Sequence, residues 1–166
     1  ARLLQQFDSH PVTQEINAGP GSANRSGTLG GYGNLFTFIG FERGSDPISP
    51  IRSLLARSIK IVTLRKKRNE LALVLKFTVP TEEEIEAVSP LPWASSSWVT
   101  AVEKGMSGLG RYLYSRNSGR FQTSRSGQAI ETTVEVRGAG SSTPTEYISG
   151  LLKVMLKNIE NSLKTL

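Results

Sequence analysis

The hydrophobic positions of this chain change their period several times, and each change marks an element. The longest pattern is Trp98, Val102, Met106, Leu109 and Leu113, an apolar stripe at helical spacing that predicts a helix over 95–114. Pro90 and Pro92 bias the residues before them toward extended backbone, which leaves Ser95 or Ser96 to cap the first turn. Gly105, Gly108 and Gly110 lower helix propensity inside that stretch, so they mark either a kink or a smooth strip where another backbone approaches closely. A second stripe, Ile148, Leu151, Leu152, Met155, Ile159 and Leu163, predicts a helix over 145–165. Thr143, Pro144 and Glu146 supply its cap, first-turn proline and capping-box acid. Leu3, Leu4 and Phe7 share one helical face over 2–8, a start too short to hold without docking on a larger surface.

Elsewhere the period is two, or there is none. Residues 34–41, NLFTFIGF, are dense in aromatic and β-branched types and predict a strand, with Phe36, Phe38 and Phe41 as core candidates. Apolar runs at 59–64 and 71–79 flank Arg65, Lys66, Lys67, Arg68 and Asn69, which predicts a hairpin with a basic tip. A further alternation, Ile130, Thr132, Val134 and Val136, predicts a strand over 129–137. Short helices are expected within 46–58, with Ser49 as cap and Pro50 in the first turn, and after Thr81, where Thr81 and Glu84 form a capping box and three glutamates complement the helix dipole. Residues 17–33 contain six glycines and no periodicity. They are expected to form an extended Gly-rich arm held by a neighbouring subunit, with Asn24, Arg25, Leu29 and Tyr32 as its contacts.

These elements amount to one α+β domain over 1–166, with the N-terminal helix and arm in 1–33 and the core in 34–166. Its sheet, antiparallel or mixed, would use 34–41, 59–64, 71–79 and 129–137, and the helices at 95–114 and 145–165 would pack their stripes on one face. Trp98, Val102, Leu109, Ile148, Leu152, Met155 and Ile159 are the predicted core.

Composition narrows the chemistry. A chain of 166 residues can bury roughly 70% of its unfolded surface, enough for a core without disulfides. It has no cysteine and a single histidine, His10, which precedes Pro11 and is expected to be a turn residue. Thiolate metal sites, a cysteine nucleophile and any catalytic triad not centred on His10 are thereby excluded. The glycine-rich stretch has no lysine of a phosphate-binding loop, and the acidic residues of 82–86 fall in one helical turn instead of forming a spaced carboxylate pair. No catalytic residue, metal site or cofactor is therefore expected, and an enzyme of unfamiliar type would have to work with carboxylates alone. No apolar run reaches the roughly 18 residues of a membrane span, and the start lacks a signal-peptide pattern. The chain is expected to be soluble and intracellular when made. The net charge of +6 permits an acidic partner without requiring one. Arg65, Lys66, Lys67 and Arg68, together with Arg111, Arg116, Arg120 and Arg125 interleaved with Tyr112, Tyr114 and Phe121, are the candidate contacts to DNA or an acidic protein.

Three stretches, HPVTQEINAGPGSANRSGTLGGYGNLFTFIGF (10–41), SPLPWASSSWVTAVEKGMSGLGRYL (89–113) and SRSGQAIE (124–131), together resemble small virion structural proteins of contractile-tailed and related double-stranded DNA bacteriophages. The resemblance implies a neck, head–tail joining or tail-completion component: several copies in a homo-oligomeric ring, in contact with other head, neck or tail proteins. Packaged duplex DNA could lie against its basic loop without sequence readout. The competing expectation is a basic nucleic-acid-binding module acting as a free protein.

Overall fold

The computed structural model describes residues 2–29, 33–66, 73–92, 94–106 and 142–164. The chain is a single α+β domain. In order, the described elements are α1 (Arg2–Ser9), α2 (Pro11–Asn17), a 3-10 turn (Gly19–Gly21), α3 (Leu35–Ile39), α4 (Ile48–Ser58), β1 (Lys60–Lys66), β2 (Leu73–Thr78), α5 (Glu82–Ala87), β3 (Pro90–Leu91), β4 (Ala94–Ser97), α6 (Trp98–Lys104) and α7 (Ile148–Lys164). β1 and β2 pair antiparallel, as do the short β3 and β4, giving two separate two-stranded sheets among the described residues. The expected strand at 129–137 lies outside them.

The core is helical. α1 packs against α2, α4 and α7, α2 against α3 and α4, and α5 against α4 and α6. Phe7, Ile16, Leu35, Ile39, Ile51, Leu55, Trp98, Val102, Tyr147 and Ile148 are almost wholly removed from water. Trp98 is the pivot: Phe41 meets it edge-on with ring centroids 5.7 Å apart, and Tyr147 lies 6.0 Å away on another side. Of the predicted core, Trp98, Val102 and Ile148 are buried, Leu152 and Met155 are partly buried against the cluster, Ile159 is half-exposed and Leu109 falls outside the described residues. Helix α7 packs against α1, and α6 against α5 and β4; packing of both stripes on one sheet face is not seen among the described residues.

The region 34–41 is a helix, not a strand. The Asn34 side chain accepts from Thr37 N at 3.0 Å, and Gly40 closes the helix in the left-handed region at φ 88°. These two terminal residues outweigh the β preference of the aromatics between them, and Leu35, Phe36, Phe38 and Ile39 are still buried, as the core reading required. The helix expected over 95–114 begins later, because residues 94–97 pair with β3 and Ser97, not Ser95 or Ser96, caps α6 by accepting from Thr100 N. It ends at Gly105, whose φ is 81° and where a Cβ would stand 3.0 Å from the Ser142 carbonyl oxygen. Residues 107–114 are outside the described set. α4 is capped by Asp46, which accepts from Ile48 N and Ser49 N, in place of Ser49. The α5 capping box is present as expected.

The Gly-rich stretch folds back on its own chain as far as it is described. Buried Glu15 of α2 accepts from Ser26 N at 2.7 Å and from Leu35 N at 2.6 Å, and Asn34 donates to the Pro20 and Ser22 carbonyls. Leu29 is buried and bridges to Ser142. A buried carboxylate needs such donors, and the glycine-rich backbone is free to bring them. The expected extended arm is thus, over 19–29, part of the body.

Candidate functional site

The structure sorts the candidate residues by place. Asn24 donates to the Leu29 carbonyl at 2.6 Å, Arg25 reaches Gln14 at 3.5 Å, and Leu29 is internal, so two of the expected arm contacts serve the chain's own fold while Arg25 remains exposed. Tyr32, Lys67, Arg68, Arg111, Arg116, Arg120 and Arg125 lie outside the described residues. Arg65 and Lys66 are on β1 itself, opposite Val74 and Leu73, so the strand runs further into the basic stretch than its apolar pattern suggests.

The hairpin is built simply. Its register sets Ile61 opposite Phe77 and Leu64 opposite Leu75, while Lys60 faces Thr78 and Thr63 faces Lys76. The register carries an irregularity between Ile61 and Thr63, and further along Arg65 and Lys66 stand opposite Val74 and Leu73. Thr78 Oγ1 donates to the Ser58 carbonyl at 2.5 Å, tying the base of β2 to the end of α4. Lys60, Lys76 and Thr78 are exposed, Val62 is 61% exposed, and Leu75 and Phe77 are half-buried. Charge is concentrated here: residues 60–78 hold six basic side chains and one acidic one, which leaves five of the chain's net +6 on this segment.

Beside Leu75 of the hairpin runs a groove of about 350 Å³. Leu3 of α1, Leu75 of β2, and Met155, Ile159 and Leu163 of α7 form its floor, with Arg2 at the rim. Residue patterning placed two of these α7 side chains, Met155 and Ile159, in the core. The signal against that was length: the α7 stripe continues past Leu151, the last of its residues to be fully buried, beyond the reach of the short helices that cover it.

Several buried polar groups elsewhere are partnered within the fold. The Thr13 and Tyr147 hydroxyls share a hydrogen bond of 2.7 Å, and burial pushes the Tyr147 phenol far above its usual pKa, so it stays neutral. His10 caps α2, its Nδ1 accepting from Val12 N at 3.2 Å, and its ring lies 4.9 Å from Tyr147. Burial holds its pKa below the ordinary 6.5, partly offset by a hydrogen bond to the Glu146 backbone. Glu103 of α6 accepts from Tyr147 N and Ser149 N and so caps α7, the role expected of Thr143. Helix α7 accordingly starts at Ile148. Among the described residues no group of three or more His, Cys, Asp or Glu is placed to hold a metal ion, and no helix is long and apolar enough to cross a membrane.

Comparison of the chain with protein families, with curated proteins and with solved structures finds no match.

Proposed function

We propose that this chain is a structural subunit of a tailed-bacteriophage particle, present as several copies in a ring at the head–tail junction or the tail terminus. The observation that carries the reading is the β1–β2 hairpin: a basic two-stranded unit whose outer edges are unpaired among the described residues. A lone two-stranded hairpin is marginal in water, and an open strand edge is a template for pairing with another chain. Edge pairing from one copy to the next is a heterologous contact, and a heterologous contact that closes makes a ring. The concentration of charge on the same element supports a second role, in which the ring presents basic side chains to duplex DNA or to an acidic face of a neighbouring particle protein. The resemblance of 10–41, 89–113 and 124–131 to virion joining proteins supports the setting.

The test is the mass of the purified chain in solution by light scattering, over a concentration series at moderate salt, with and without duplex DNA. A closed oligomer with weak DNA binding is the expected result. A stable monomer that binds DNA tightly and loses it steeply with salt would replace this reading with that of a free nucleic-acid-binding module.

A further inference from the structure

We propose that the His10 imidazole is an acid-opened clip that fastens the first turn of α2 to the approach to α7. It goes beyond the assembly reading and stands without it. The ring holds on both sides. Its Nδ1 accepts from Val12 N at 3.2 Å and so supplies the side-chain cap of α2, while the ring also hydrogen-bonds the backbone of Glu146, one residue before Tyr147. Its face lies 4.9 Å from the Tyr147 ring at a tilt of 46°.

The two bonds demand one protonation state. Nδ1 accepts only when it carries no proton, and a neutral imidazole then has its proton on Nε2, the nitrogen left to serve Glu146. A second proton turns Nδ1 into a donor aimed at the Val12 N–H. Two donors then face each other, so the ring has to turn away from Val12 and α2 loses its cap. His10 is half-buried, which gives the displaced imidazolium a short path to water.

The carboxylates of the surrounding elements are committed to other donors. Asp8 of α1 is paired with Arg52 of α4 at 2.9 Å, and Glu103 of α6 accepts from Tyr147 N and Ser149 N. The Glu146 side chain meets Lys153 of α7 at 2.6 Å, Glu15 of α2 holds Ser26 N and Leu35 N, and the Tyr147 phenol is kept neutral. Burial holds the pKa of His10 below 6.5, so the clip stays shut through neutral pH and opens as the solution becomes more acidic. More than a helix end is loosened. The same seven-residue helix sets Thr13 against the Tyr147 hydroxyl and Glu15 against the glycine-rich stretch, so its first turn sits between α7 and that stretch.

The chain's single histidine allows an unambiguous test by nitrogen and proton NMR of the intact protein across pH. At pH 8 the imidazole should carry its proton on Nε2, and its midpoint should lie below 6.5. The Val12 amide resonance should move with that same midpoint. Its exchange, corrected for the intrinsic effect of pH, should become roughly fivefold faster on the acid side, the effect of losing a cap. His10→Asn keeps a capping acceptor that does not titrate, so Val12 should stay protected at both pH values, whereas His10→Ala should leave it fast-exchanging at both. A proton on Nδ1 at pH 8, a midpoint at or above 6.5, a Val12 amide indifferent to the histidine midpoint, or an acid step that persists in His10→Asn would overturn the proposal. The tautomer and the shared midpoint need no variant, so they decide the matter even if a substitution impairs folding.

Discussion

In the helical body Trp98, Tyr147 and Phe7 are enclosed, and buried polar groups are given fixed partners, Glu15 two backbone amides and Ser89 the hydroxyl of Ser97. One residue past α4, the β1–β2 hairpin leaves Val62 61% exposed, pairs its strands with each other, and gathers almost all of the net charge. The difference separates what the molecule needs in order to fold from what the proposed assembly would use. Stability lives in contacts between helices distant in sequence, whereas the hairpin is local, exposed and tolerant of change.

Breaking the body should cost most. Trp98→Ala removes the ring that Phe41 and Tyr147 pack against and should destabilise by about 3–5 kcal/mol in denaturant titration. Glu15→Gln keeps the size but turns one acceptor into a donor facing a backbone amide, and should cost roughly 1–3 kcal/mol, with hydrogen exchange rising at Ser26 and Leu35. Gly105→Ala forces a side chain into the positive-φ position beside Ser142 and Pro144, and a loss of roughly 1–3 kcal/mol is expected from thermal unfolding.

His10 sharpens the comparison through pH. Because burial depresses its pKa in the folded state, the unfolded chain takes up the proton first as pH falls. The contribution is therefore complete above about pH 6.5 and declines as pH drops from there through the lower folded value. His10→Gln should flatten that part of the stability profile and leave the region near pH 8 parallel to the wild type. The smallest stability effect belongs to the hairpin: Lys60→Glu combined with Lys76→Glu should stay within roughly 0.5 kcal/mol of wild type while weakening any anionic partner's binding.

How much of this was legible in the sequence follows the same division. Elements whose signals are local were readable: α1 from Leu3 and Phe7, α5 from its capping box, the hairpin from two alternating runs about a basic stretch. Buried residues were readable even where the element was misread, since Phe36 and Phe38 are internal in either a strand or a helix. The helix there could have been found from Asn34 and Gly40 at its ends, and α2 from Pro11 in the first turn with Val12 and Ile16 one turn apart. What no local rule supplies is the capping of α7 by Glu103 from 44 residues away, or the capture of the glycine-rich stretch by Glu15 and Asn34. Those depend on tertiary neighbours. The candidate surface was half visible: the basic residues stood out, but the groove arises only where α1, β2 and α7 converge.

The most direct test of this division is sedimentation of the intact chain beside a variant in which residues 61–77 are replaced by a short Gly-Ser turn, with thermal unfolding recorded on both. The prediction is a closed oligomer for the intact chain, a monomer for the variant, and nearly the same melting temperature for the two folded bodies. Oligomers of equal size, or a variant that no longer folds, would contradict the claim that the helical body carries the fold and the hairpin carries assembly.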